Sequence, residues 1–432
     1  MGPAIFVPIF RKSDNSEENK MSGCGCSFSP AEEIKEEVKY TDALAEQFAK
    51  EVGVDPRPNE TLVEIDERGA FIRQPNAFIQ PFGDEEGDLK AEANRYGIYW
   101  ATGCNWSNRP IIVRDLLGLQ DVISDTRVTH SGETNRYGHA FGDQPGFKDP
   151  KTGAYFLSEF YKRANSDFKG RATTPTLVDI KEKKAVNNDY HRLTNYIEVQ
   201  FRPFQPKDAP DLYPKKFRKE IDEFNDWLFP HVNNGHYRMA FCQSPEAYDE
   251  AYEDFYESLE KLDKRLETNR FLFGDYITDS DVRVYVTLVR WDVSYFHNIG
   301  PVKKPIRDYK NIWGYLRELY AIPAFRHGSD PQVLALDGPR KKLGEVLFRG
   351  YNDRILSKVD FEKLWADDGE RRKLSKTPDE LFLRHPEGET YEDYAGPISK
   401  TIIWNSPKWE DRNPKNGTLS VDASINPLKG LL

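Results

Sequence analysis

Tyr96-Gly97-Ile98-Tyr99-Trp100-Ala101-Thr102-Gly103-Cys104-Asn105-Trp106-Ser107-Asn108-Arg109 is the stretch whose reading decides the fold. An apolar run of β type breaks at Gly103. Ile111, Ile112, Val113, Leu116 and Leu117 then recur with helical spacing, and Gly118 ends the pattern. The spacing predicts a strand over 95–100 and a helix over 106–117. Cys104 falls at the turn between them. A thiol there faces unpaired backbone N–H groups and the positive end of a helix dipole. Both favour the thiolate, which is the reactive form of cysteine. Cys104 is therefore the candidate nucleophile of a sulfur chemistry.

Outward from this unit the alternation continues. A second strand is predicted near 122–128, followed by a long loop over 130–153 rich in Gly, Asp and Asn, of the kind that is usually functional or disordered. A helix over 156–166 precedes Thr173-Thr174-Pro175-Thr176-Leu177-Val178-Asp179. A charged turn at 181–184, the apolar pair Ala185-Val186 and a helix opened by Asn187-Asn188-Asp189 come next. A βαβ unit followed by a proline-led strand, turn, strand and helix is the thioredoxin-like order.

From about Leu212 to Arg326 the pattern is helical. Ser244-Pro245 starts a helix whose apolar face is Tyr248, Tyr252, Phe255, Leu259, Leu262 and Leu266. Thr278-Asp279-Ser280-Asp281 reads as a capping box, with Ile277 placed to staple to Val282. After Gly328 the chain is less regular, with a capped helix start expected at Thr377-Pro378-Asp379-Glu380. At the other end, residues 1–29 read as disordered, Ser29-Pro30-Ala31-Glu32 as the cap of a short acidic helix, and 54–88 as an extended arm over a domain surface. There is no internal repeat.

Composition narrows the function. A chain of 432 residues is long enough for two or three domains. Its net charge of −10 supplies no basic excess for phosphates, which argues against nucleic acid. No apolar run approaches the ~20 residues that span a bilayer, so no membrane is expected. The apolar start Ala4–Phe10 lacks a basic region before it and a cleavage site, and is not read as a signal peptide. Cys24, Cys26, Cys104 and Cys242 are too few for a disulfide framework, so a reducing cytoplasm is the expected setting. Cys24-Gly25-Cys26 without a second ligand pair is read as an inert terminal segment, and no metal is expected.

With Cys104, Pro175 and the helical half in place, the chain resembles the glutathione transferases, and within them the glutathionyl-hydroquinone reductases, or xi class. Arg95-Tyr96, Trp106, Arg109, Gly170-Arg171, Thr174-Pro175, Val186-Asn187-Asn188 and Asp211-Leu212-Tyr213-Pro214 carry the resemblance. So do Val232-Asn233-Asn234-Gly235, Tyr237, Arg283, Arg290, Tyr295, Ile306-Arg307-Asp308-Tyr309 and the final Ser424–Pro427. The fold it implies is α/β plus all-α: a thioredoxin-like domain over 91–203 and an all-helical domain over 204–330. An N-terminal arm (1–90) and a C-terminal extension (331–432) flank them.

The resemblance implies an enzyme that uses glutathione as cosubstrate to reduce glutathionyl-hydroquinones or related aryl thioethers, a form of quinone detoxification. Cys104, Tyr237 and Tyr295 would be catalytic. Trp106, Arg109, Thr174, Pro175, Asp189 and Tyr190 would bind glutathione. A homodimer and an aromatic small-molecule substrate are the implied partners. In the implied chemistry the Cys104 thiolate takes glutathione from the aryl thioether, and a second glutathione clears the mixed disulfide. Read by themselves, Tyr237 and Tyr295 are packing residues, Pro175 an edge-strand proline, and Asp189 a helix cap.

Three departures bear on this. Asn105 and Asn108 stand where the family has proline and histidine, with Pro110 in place of a threonine. Pro110 is expected in the first helical turn, where no donor is lost. Asp189-Tyr190 replaces a Glu-Ser pair, and about a hundred residues are interposed before the Ser424–Pro427 tail. Two other readings stay open: reductive removal of halide from an aryl substrate with glutathione or another thiol, and a non-catalytic binding protein that kept the fold.

Overall fold

In the chain's computed structural model the described residues are 42–57, 64–130, 137–142, 144–295, 303–336 and 355–395. The Cys24–Cys26 pair, the capping box at 29–32 and the Ser424–Pro427 tail lie outside them. A helix over 42–52, α1, comes first.

The sheet is built on β1 (Tyr96–Trp100), which is buried along its whole length. Such a strand reads as a continuous apolar run because both faces are covered. It pairs in parallel with β2 (Ser124–Arg127), Gly97 opposite Ser124. A small antiparallel pair, β3 (Thr129–His130) and β4 (His139–Ala140), occupies the long loop. On the other side of β1 lies antiparallel β5 (Thr176–Asp179), then β6 (Lys184–Asn187), giving the order β2-β1-β5-β6.

The period of two along β1 divides the core. Tyr96, Ile98 and Trp100 join Ile111, Ile112 and Val113 of α2 (Asn105–Leu116) in the main cluster. Tyr99, on the opposite face, packs with Leu157 and Phe160 of α3 (Leu157–Ala164) and with Val178. The cis Thr174–Pro175 bond leads into β5, an interior strand, so Pro175 is not an edge-strand residue.

The helix after β6, α4 (Leu193–Gln200), starts later than the sequence suggests. Asp189 does not open it. Its Oδ1 instead accepts the His191 N–H at 3.1 Å, and its carbonyl accepts the N–H of Arg192 and Leu193. A short polar side chain that caps its own turn competes with helix here.

The helical half runs α5 (Arg218–Leu228), α6 (Gly235–Phe241), α7 (Pro245–Thr268), α8 (Asp279–Leu288), α9 (Lys310–Tyr320) and α10 (Pro323–Ser329). The two caps read in the sequence are present. Ser244 Oγ accepts the Ala247 N–H at 3.2 Å, and Asp281 accepts both the N–H and the hydroxyl of Thr278. Thr377 starts no helix: its carbonyl closes a turn on the Glu380 N–H, and the chain runs on as an extended strap. Leu381 and Leu383 carbonyls in that strap accept the N–H groups of Ile277 and Asp211. The backbone groups that would have continued a helix are used between segments instead.

Buried charge joins the two halves. Arg283 of α8 donates to Asp279 at 2.5 Å, to the His191 carbonyl at 2.7 Å and to Thr194 Oγ1 of α4 at 2.9 Å. Among the described residues no helix is long and apolar enough to cross a membrane.

Candidate active site

Cys104 is the residue before α2, with extended backbone, and its carbonyl accepts the N–H groups of Ser107 and Asn108. Its thiol does not cap the helix. The S–H donates instead to the Thr174 carbonyl at 3.3 Å, just before the cis bond to Pro175. Cys104 is partly exposed, so it is reachable from outside. Ser107 fixes the turn behind it: its hydroxyl bonds Ala101 O and Cys104 O, both at 3.0 Å, and accepts the Ala101 N–H. Pro110 is the sixth residue of α2, not part of its first turn. The position therefore lacks the N–H that would bond Trp106 O, and the helix is held by tertiary packing rather than by that bond.

Cys104 lies against an aromatic cluster of Trp106, Tyr190, Phe229 and Tyr237. Trp106 stacks on Tyr237 with centroids 5.7 Å apart and lies 5.2 Å from Tyr190. Two π turns aim the helical half at this cluster: Phe229–Asn233 between α5 and α6, and Trp291–Tyr295 after α8. Such single turns recur where a helix must re-aim side chains at a site. They bring the Tyr237 and Tyr295 hydroxyls to 3.0 Å, with Tyr237 donating to Asn105 Oδ1 at 3.3 Å. Burial, followed by the neighbouring Cys104, raises the Tyr237 pKa. Burial also holds that of Tyr295 well above normal, so both stay protonated at neutral pH.

Arg109 is almost fully buried. It donates to Asn233 Oδ1 at 2.8 Å and to the Tyr190 carbonyl at 3.5 Å, with its guanidinium 4.8 Å from the Trp106 ring. Burial, and then the charge of Arg283, pulls its pKa down to about 9. Its place is beneath the cluster, where it holds Trp106 and Tyr190. Asp189 is equally buried, and its Oδ1 also receives the Asn76 amide at 3.3 Å. Tyr190 turns its ring into the cluster, and its hydroxyl is buried with no partner. Asn108 turns away from Cys104. Its Oδ1 accepts from the Arg290 guanidinium and from Ser329 at 3.0 Å. Cys242 ends α6 and donates to Met239 O.

Two residues of this neighbourhood escape the sequence reading. His236 stacks on Tyr295 at 3.8 Å and 6°, with neither ring nitrogen bonded. Burial, then the charges of Arg73 and Arg290, lowers its pKa to about 3. Arg73 comes from the arm, its guanidinium 4.3 Å from the Tyr237 ring and 4.7 Å from that of Trp106. The arm is pinned on both sides of it. Gln243 N–H bonds Gly69 O at 2.7 Å, and Asn188 exchanges bonds with the backbone of Phe78. Gly69 has φ +82°, and a Cβ there would lie 2.9 Å from Ser244 Cβ, so only glycine fits this crossing. The one sequence signal for Arg73 is its alternation with Phe71 on an extended segment.

A polarisable thiol at a helix start, walled by aromatic rings and two protonated phenols, can attack a sulfur carried by a flat aromatic molecule. Among the described residues no cluster of ligands suits a metal ion.

The family model "Glutathione S-transferase, C-terminal domain" matches residues 245–318. The chain is 37% identical over 264 residues to glutathionyl-hydroquinone reductase YqjG of Escherichia coli, covering 59% of this chain and 80% of that protein. Its fold matches the crystal structure of glutathione S-transferase Xi from Phanerochaete chrysosporium, with a TM-score of 0.58 and 33% identity, over 62% of this chain and 88% of that one. It also matches the glutathione-bound structure of YqjG from Escherichia coli K-12, with a TM-score of 0.55 and 32% identity, over 63% and 89%.

Proposed function

Since the chain belongs to the glutathionyl-hydroquinone reductases, the xi class of glutathione transferases, we propose that it reduces glutathionyl-hydroquinones through a mixed disulfide on Cys104. The observation that carries this is the Cys104 thiol, 3.3 Å from the carbonyl before cis-Pro175 and packed on the Trp106–Tyr190–Tyr237 cluster.

In the first half-reaction the Cys104 thiolate attacks the sulfur of the aryl thioether. A disulfide to glutathione forms, the carbon–sulfur bond breaks, and the aryl carbon takes a proton. The hydroquinone leaves. A second glutathione thiolate then attacks the mixed disulfide, and oxidised glutathione departs. Tyr237, backed by the Tyr295 hydroxyl, serves the first step as hydrogen-bond donor to the ring oxygen.

Glutathione is the proposed thiol, supported by the glutathione-bound relative. Thr174 and Pro175 would face its cysteinyl part, with Trp106 beside it and Arg109 holding Trp106 from beneath. Asp189 and Tyr190 would sit at its γ-glutamyl end. The thioredoxin-like half (91–203) would hold the thiol, and the helical half (204–330) the aryl group. A homodimer is part of the same proposal, and light scattering of the full chain reads it directly. The engagement of Asp189 by His191 N–H and Asn76 favours a second reading, in which another low-molecular-weight thiol is used.

The deciding experiment is intact-protein mass spectrometry after mixing with a glutathionyl-hydroquinone and no free thiol. The expected result is a gain of one glutathione with matching release of hydroquinone, both lost in Cys104→Ala. Neither adduct nor release would discard the substrate class. An adduct cleared equally well by unrelated thiols would favour the second reading.

A further inference from the structure

Arg73 is held in an unusual way. Its Nε donates to Asn234 Oδ1 at 2.6 Å, and its guanidinium lies over the rings of Phe71, Trp106 and Tyr237 at 5.3, 4.7 and 4.3 Å. Its Nη2 is buried and has no acceptor among the described residues. Among the described residues no carboxylate forms an ion pair with it. Three aromatic faces attract the charge, but none can accept the N–H in its plane. A buried guanidinium N–H without an acceptor costs free energy, and an anion would supply that acceptor. Trp106 and Tyr237, which Arg73 covers, belong to the aromatic cluster beside Cys104. Burial raises the Tyr237 pKa most, and beside it the phenol feels both groups: Cys104 raises the pKa further and Arg73 lowers it.

We propose that Arg73 is an oxyanion-binding residue of the aromatic pocket, taking the ring oxygen that becomes phenolate as Cys104 removes the glutathionyl sulfur. The inference rests on the reaction proposed above. The ring carbon bearing sulfur gains a proton as the neighbouring hydroxyl gives one up, which is a tautomerisation without redox change. Attack by the Cys104 thiolate then forms the S–S bond and breaks the C–S bond. The released electron pair restores the aromatic ring and leaves the negative charge on its oxygen. The aryl carbon ends as C–H and is reduced, and the two sulfurs are oxidised to a disulfide. Tyr237, backed by Tyr295, is a neutral donor to that oxygen, whereas Arg73 brings a full charge into a place poor in water, where it counts most.

The test uses two readouts on the full chain. The first is binding of 4-nitrophenol, whose ionised form has its own visible absorption. Wild type is expected to bind it more ionised than it is free at the same pH. Arg73→Gln should lose that shift, and Arg73→Lys should keep part of it. The second is turnover of a glutathionyl-hydroquinone. Arg73→Gln should lower kcat roughly 10- to 100-fold, with KM for glutathione within about twofold of wild type. Arg73→Gln unchanged in both readouts overturns the inference while leaving the Cys104 reaction standing. Nitrophenolate binding that depends on Arg73, in a protein that forms no glutathione adduct, overturns the reaction and keeps the anion site.

Discussion

Tyr237 of α6 and Tyr295 of the π turn after α8 share a hydrogen bond at 3.0 Å, and the Tyr237 hydroxyl donates its own hydrogen bond to Asn105 Oδ1. Each phenol has one proton, so the order of donation is Tyr295 to Tyr237 to Asn105. In the proposed reaction, substrate would draw Tyr237 away from Asn105 to accept its hydrogen bond, and Tyr295 would back that movement. The two residues therefore act as one donor. Tyr237→Phe is expected to lower kcat roughly 10- to 100-fold, and Tyr295→Phe somewhat less. The double variant should be little worse than Tyr237→Phe alone. A double-mutant cycle on kcat checks this, and full additivity would show two independent donors.

His236 gives the fold a dependence on acid. Its pKa is lowered to about 3 by burial, against 6.5 in the open chain. Between these values the unfolded state binds the extra proton. Stability is fully present above 6.5 and falls as pH drops below it. Each pH unit below about 6 should remove about 1.4 kcal/mol through this residue. His236→Phe keeps a ring to stack on Tyr295 and removes the titration. Urea unfolding at several pH values should therefore show a shallower acid slope in the variant. Equal slopes would mean that His236 is protonated in the folded protein.

Much of this is legible in the sequence, and the rest fails for identifiable reasons. Strand β1 and helix α2 follow from one apolar alternation giving way to helical spacing at Gly103, and the Ser244 and Thr278 caps are local chemistry. Asp189 misleads because an Asx turn and a helix cap use the same side chain and the same neighbours. Thr377 misleads because the partners of the strap, Asp211 and Ile277, lie more than a hundred residues earlier in the chain. Arg73 and His236 are invisible for that reason too: their surroundings come from other elements. Asn108 looks like a degraded catalytic position in the sequence. In the fold it is the acceptor for buried Arg290.

Arg283 holds the two halves together, and its loss should be costly. It is buried with Asp279 and also bonds His191 O, Thr194 and Asn195. Arg283→Met would leave the Asp279 carboxylate buried without its cation, at a cost of about 3–5 kcal/mol. Neutralising the partner too, in Arg283→Met with Asp279→Asn, should recover part of that loss. Urea midpoints of the two variants give the comparison. A double variant no more stable than the single one would show that the hydrogen bonds to α4, and not the ion pair, hold the joint.

The C-terminal extension, from which the strap continues, matters to the fold through Arg371. Helix α7 ends at Thr268, and a helix end leaves carbonyls without partners. Arg371 Nη2 reaches three carbonyls there: Leu266 at 3.1 Å, Asn269 at 2.6 Å and Arg270 at 2.8 Å. Its cation also suits the negative end of the α7 dipole. Burial lowers the Arg371 pKa, and the nearby Glu318 opposes that shift. Arg371→Ala should therefore destabilise the chain by about 2–3 kcal/mol, read as a fall in urea midpoint. Arg371→Lys keeps the charge but loses the fork, and should fall between the two. Because Arg371 touches none of the residues around Cys104, formation of the glutathione adduct below the unfolding transition should be unchanged. A variant that unfolds like wild type but loses the adduct would show that the strap acts on the site and not on α7.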